Sequence, residues 1–118
     1  MALADSKTQV ERAGTRATAR YFRVLGDPTR LSILDALATG PCSASELARR
    51  LSAPQSRVSN HLACLRWCEF VVAERHGRQV LYRLADPRVF ELVEAARRVA
   101  ASRAEHLESC ERIGPDWV

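Results

Sequence analysis

The 118-residue sequence predicts a mainly α fold with one β-hairpin, an α+β class, arranged as a single domain over residues 1–118. Three observations predict it. Apolar residues recur at three- and four-residue spacing over most of the chain, the signature of amphipathic helices. Strand composition is confined to residues 70–84. The chain is 47% hydrophobic, enough to fill a core, and its length leaves room for one domain of ordinary size.

Taken in order, Val10, Ala13, Ala17, Tyr21 and Val24 mark a first helix over 8–25. Asp27-Pro28-Thr29-Arg30 starts a second, with Asp27 as cap and Pro28 at a first position that needs no N–H donor. Leu31, Leu34 and Leu37 give that helix its apolar stripe, and Gly40-Pro41 ends it. Ser43-Ala44-Ser45-Glu46 is a capping box opening a short helix that ends near Leu51. Ser52-Ala53-Pro54-Gln55 opens the next, which runs to about Cys68 with Val58, Leu62 and Leu65 on its core face. Phe70–Ala73 and Val80–Leu84 then form a hairpin turning at Gly77, and Asp86-Pro87 caps a last long helix over 87–106, followed by a tail over 107–118. Two helices joined by a tight turn (43–68) and followed by a β-hairpin (70–84) make a winged helix-turn-helix.

The charge is placed where that fold meets DNA. Net charge is +4, yet residues 49–83 hold seven arginines against Glu69 and Glu74, a net +5, and the rest of the chain sums to −1. Basic charge confined to one stretch is the footprint of a polyanion-binding surface. Gln55, Ser56, Arg57, Ser59, Asn60 and His61 lie in the first half of the 52–68 helix, and Arg75 and Arg78 lie at the hairpin tip. Amide, hydroxyl and guanidinium groups hydrogen-bond base edges and phosphates, so double-stranded DNA is the expected partner. His61 has a second reading as a structural residue and a third, less favoured, as a metal ligand; His76 and His106 read as solvated.

Leu25-Gly26-Asp27-Pro28-Thr29-Arg30-Leu31-Ser32-Ile33-Leu34, then Ser59-Asn60-His61-Leu62, then Gly77-Arg78-Gln79-Val80-Leu81-Tyr82, resemble the ArsR/SmtB family of bacterial metal-responsive repressors over roughly residues 15–105. The resemblance implies a homodimer built on the first and last helices (8–25 and 87–106). It also implies operator binding in the apo state, on an imperfect palindrome, and release when an inducer binds. Two inducer sites of the family are not matched. Ser43 and Ser45 stand where one group has a Cys-x-Cys pair, and residues 87–106 offer only His106 with Glu91, Glu94 and Glu105 where another has an Asp-x-His and a histidine pair.

The cysteines are matched better. Cys64 and Cys68 are four apart on a predicted helix, so they project from the same side, and two thiolates at that spacing can grip one soft cation. Cys110, past the last helix, is the candidate third ligand. Asn60-His61-Leu62-x-Cys64-Leu65-Arg66-x-Cys68 with a tail cysteine is similar to the CmtR-type cadmium/lead sensors of the family, in which the tail cysteine reaches the site from the opposite protomer. The implied inducer is a thiophilic ion: cadmium or lead, with mercury and trivalent arsenic as further candidates. Cys42, just before the capping box, reads as structural.

Other classes have less behind them. A thiol redox sensor of the same fold is the alternative, although two cysteines four apart on one helix make an awkward disulfide. A small enzyme is the distant one, with no phosphate loop, nucleophile elbow or paired carboxylates at a readable spacing. No apolar run approaches the 18 residues of a membrane span, and residues 1–10 lack the apolar stretch of a signal peptide. A cytosolic protein whose four cysteines are thiols or metal ligands rather than disulfides is the expectation.

Overall fold

A computed structural model describes residues 2–114, with side chains from Lys7 onward. Residues 115–118 of the expected tail lie outside that range. The elements are α1 (Ala2–Leu25), α2 (Pro28–Ala38), α3 (Ala44–Leu51), α4 (Gln55–Trp67), β1 (Val71–His76), β2 (Gln79–Leu84), α5 (Arg88–Ala101) and α6 (Ala104–Ser109). Mainly helical with one antiparallel hairpin, this is the winged helix-turn-helix that the sequence predicts.

Local chemistry sets most of the boundaries. The Asp27 carboxylate accepts from the Arg30 backbone N–H at 3.0 Å, and Pro28 begins α2. Ser43 caps α3 in the same way, accepting from the Glu46 N–H at 3.2 Å, while the Glu46 side chain turns to Arg49 and does not close the box. Before α5, Asp86 accepts from the Arg88 N–H at 2.9 Å. The hairpin pairs Val71 with Leu84 through His76 with Gln79, leaving Gly77 and Arg78 as a two-residue turn. Gly77 there has φ +63°, a conformation that favours a residue without Cβ.

Three boundaries differ from expectation. α1 is longer, starting at Ala2 rather than residue 8. α4 starts at Gln55, because Ser52 adopts a left-handed conformation that closes α3 and Pro54 supplies the non-helical step into the next helix. The last helix is not continuous to 106: it stops at Ala101, and Ser102-Arg103 separates it from the short α6.

The core lies where α2, α3 and α4 meet the base of the hairpin and α5. Ile33, Leu34, Leu37, Leu47, Val58, Leu62, Leu65, Val71, Val89 and Val93 are buried there. The Tyr21 ring closes one edge against Phe70, centroids 4.4 Å apart. Cys42 is buried as well, and its backbone pairs with Tyr82 in both directions (N–H···O 3.0 and 2.8 Å), which fastens the α2–α3 connection to β2. Leu62, with no exposed surface, is the natural probe of this core. At fixed protein concentration Leu62→Ala should cost about 2–5 kcal/mol, read as a lower urea midpoint.

Outside this core α1 and α5 are thinly covered. Residues Lys7–Arg20 of α1 are exposed throughout, and Ala96 and Val99 of α5 are exposed as well. The radius of gyration is 17.2 Å, against roughly 13–14 Å for a compact domain of this length. Among the described residues no helix is long and apolar enough to cross a membrane.

Candidate nucleic-acid interface and thiol pair

Burying Val58, Leu62 and Leu65 fixes the rotation of α4 about its axis, and so fixes what it shows to solvent. Gln55, Ser56, Arg57, Ser59 and Asn60 are all exposed. Pro54 provides no side-chain cap, so the first turn of α4 presents unsatisfied N–H groups beside these residues, a favourable place for an anion. His61 is the exception in the predicted set. It is half-buried, and its Nδ1 accepts from Arg30 Nε at 3.3 Å, which places it on the inner flank rather than on the outward row.

Ion pairing divides the seven arginines of the basic stretch. Arg49 pairs with Glu46, and Arg83 donates to Glu74 at 3.0 Å. The Glu74 carboxyl is held below its usual range by its hydrogen bond from Arg83 and then by His76. Among the described residues, Arg50, Arg57, Arg66, Arg75 and Arg78 have no carboxylate partner. Arg75 folds its Nε onto the Gly77 carbonyl at 3.3 Å, so the hairpin tip presents Arg75 and Arg78 together. The unneutralised charge is therefore concentrated on α4 and the hairpin tip, where the sequence pattern places the DNA-facing surface.

Toward the end of α4 stands Cys64 (half-buried), and one turn on, at the C-cap of that helix, Cys68 (exposed). Desolvation pushes the Cys68 thiol up, and the Cys64 thiol adds to this, while Arg30 and Arg20 pull the other way. Two soft donors side by side suit a thiophilic ion and not a hard one. Cys110, half-buried just after α6, is not with them. Among the described residues of one chain, no three His, Cys, Asp or Glu side chains converge as a metal site. Ser43 and Ser45 hydrogen-bond across 3.2 Å at the start of α3, and Glu94 is taken by Arg97 at 2.9 Å.

Three features of this region were not read from the sequence. Arg30 is a bracket: besides His61 it donates to the Val24 carbonyl at 3.1 Å, joining α1, α2 and α4 beside the thiols. Arg20 and Arg23 line a shallow groove of about 600 Å³ next to Cys68; their three-residue spacing on one helix face was the available signal. Trp67, 89% exposed, ends the outward row of α4 and had no periodic partner to betray it.

Comparison with known proteins places the chain among regulators. The family model "Bacterial regulatory protein, arsR family" matches residues 27–72. A probable mercury resistance operon repressor of Streptomyces lividans is 45% identical over 96 residues, which are 81% of this chain and 77% of that protein. The HTH-type transcriptional regulator CmtR of Mycobacterium tuberculosis is 45% identical over 108 residues, covering 83% of this chain and 92% of the relative. The NMR structure of CmtR, described as a cadmium metal-sensor, superposes with a TM-score of 0.55 at 50% identity over 68% of this chain and 80% of that one. A homodimeric winged helix-turn-helix DNA-binding domain from Mycobacterium bovis superposes with a TM-score of 0.71 at 30% identity over 81% of this chain and 89% of that one.

Proposed function

The chain belongs to the ArsR family of bacterial regulatory proteins and is a transcriptional regulator rather than an enzyme, and from that premise we propose that it is a homodimeric, cytoplasmic repressor that leaves its operator when a thiophilic metal ion binds. Cadmium and lead are the first candidates for that ion, then mercury and trivalent arsenic, since all favour thiolates. One observation carries the reading. The helix that exposes Gln55, Ser56, Arg57, Ser59 and Asn60 near its start also carries two thiols one turn apart at its end. Metal ligation and DNA recognition then act on the same rigid element.

Cys64 and Cys68 would hold the ion, with Cys110 as third ligand; the metal supplies a strong bond to each thiolate and releases their protons. Cys110 stands apart from the pair within one chain, which is the situation expected if the partner protomer delivers it. On this reading Cys64 and Cys68 tie α4 to a tail, and α4 is thereby drawn from the spacing that suits successive major grooves. The Arg30 bracket, joined to His61 and to the end of α1, keeps the thiol flank in register with the dimerisation helix.

Self-association has its own support. Val10 and Phe22 of α1 and Phe90 and Val99 of α5 are exposed apolar side chains, and an apolar groove of about 390 Å³ runs between these helices over Leu25, Leu31 and Val93. A second copy would cover them, as two half-sites require. Sedimentation equilibrium of the metal-free protein should give a dimer at micromolar concentration. Phe22→Glu should shift it toward monomer and weaken DNA binding with it. A stable monomer that binds DNA normally would contradict the assembly.

A metal titration of the protein–DNA complex under strict reduction tests the function itself. Cadmium should release the DNA while thiol oxidation is blocked; release only under oxidant would favour the redox reading instead.

A further inference from the structure

The groove beside Cys68 is charged, and no carboxylate among the described residues neutralises it. Arg20 and Arg23 of α1 and Arg30 of α2 line it over a floor that includes Ala17 and Phe70, with Cys68 on its wall. Among the described residues none of these three arginines has a carboxylate partner. At the other end of the chain the segment Ala104–Glu111 has the opposite character. Glu105, Glu108 and Glu111 recur every third residue, all exposed and without cationic partners among the described residues, and Leu107 is an exposed apolar side chain among them. Cys110 belongs to that segment.

We infer that the arginine groove of one protomer is the docking site for the acidic Ala104–Glu111 segment of a second copy, so that ion pairing seats Cys110 beside Cys64 and Cys68 before any metal arrives. The inference rests on the function proposed above and adds what brings the third thiol to the site. Three matched charges at a partly enclosed surface hold two segments together more firmly than isolated exposed pairs, which contribute little each. Seating the ligand in advance also removes part of the ordering cost that ion binding must otherwise overcome. The Ser102-Arg103 break supports this occupant, because it frees α6 from the axis of α5 and lets the segment turn toward another chain.

The test uses the full-length Cys64→Ser protein, in which Cys68 and Cys110 are the accessible thiols and Cys42 is buried. A mild thiol oxidant joins them, and peptide mapping identifies the bond. The product should be a covalent dimer linked Cys68 to Cys110. Its rate of formation should fall about tenfold as salt rises from about 0.05 to about 0.5 M, because the pairing is screened. Combining Glu105→Lys, Glu108→Lys and Glu111→Lys should slow it by about tenfold, since like charges then meet in the groove. Lysines beside Cys110 favour its thiolate and on their own would speed the reaction, so slowing reports weakened docking. Adding Arg20→Glu and Arg23→Glu to the lysine variant should restore the rate. A rate indifferent to salt and to these charges overturns the inference, and so does a Cys68–Cys110 bond within one chain. If the salt-sensitive link is found while Cys110→Ser keeps its full cadmium response, the docking stands and the proposed ligand set falls.

Discussion

Cys68→Ser protein should hold DNA as the parent does and no longer let go of it when cadmium is added. Cys64→Ser and Cys110→Ser should behave alike, because a soft ion held by two of three sulfurs is neither selective nor tight enough to drive the change. The coupling removed is of the size typical of such switches, ~1–3 kcal/mol, so the roughly 5–150-fold metal-dependent drop in DNA affinity should shrink to near unity. By reciprocity, DNA should weaken cadmium binding to the parent protein by the same factor and leave the serine variants indifferent. None of the three thiols belongs to the buried core, so apo folding and DNA binding should survive each change. Cys42 serves as the control. It lies inside, with its backbone paired to Tyr82, so Cys42→Ser should lower stability modestly and leave the metal response intact. Loss of response in Cys42→Ser with retention in Cys110→Ser would mean that the third ligand is wrongly assigned.

The second large effect concerns DNA. Arg57 on α4 and Arg78 at the hairpin tip are exposed and have no carboxylate partner among the described residues, so each is free to meet a phosphate. Arg57→Ala and Arg78→Ala should each weaken binding on all sequences alike and reduce the salt slope by about 0.9 for every phosphate left unneutralised. Together they should weaken binding further, roughly additively, because α4 and the hairpin tip meet the duplex separately. Asn60→Ala should differ in kind: its amide suits a base edge, so its removal should cost about 1–3 kcal/mol on the preferred site and little elsewhere. Arg83→Ala is the internal control, since Arg83 is occupied by Glu74. An unchanged salt slope in Arg78→Ala would remove the hairpin from the interface.

How far the sequence carried these readings depended on whether the deciding physics was local. Asp27-Pro28 and Ser43 mark helix starts because a cap acts over three residues, and both caps form. The core face of α4 was legible because Val58, Leu62 and Leu65 repeat at helical spacing and all three are fully buried. The break at Ser102-Arg103 was not, since Ala100 to Glu105 contain neither Gly nor Pro and every residue there tolerates a helix. Ser52 was read as a helix start when its left-handed backbone in fact ends the helix before it. His61 was read as DNA-facing or structural, and the tertiary hydrogen bond with Arg30, 31 positions away, favours the second. The thiol pair was visible from its four-residue spacing. The distance of Cys110 from that pair depends on how α5 and α6 are placed, which no local pattern records.

If the proposed mechanism holds, thiolate ligation on α4 and release from DNA are one event. The most direct test titrates cadmium into the complex with a labelled duplex that the protein itself has selected, under strict reduction, following DNA anisotropy and thiolate-to-metal absorption in one cuvette. Both signals should move together and saturate at one ion per protomer. Absorption that saturates while the duplex stays bound, or release that precedes any thiolate absorption, would contradict the mechanism.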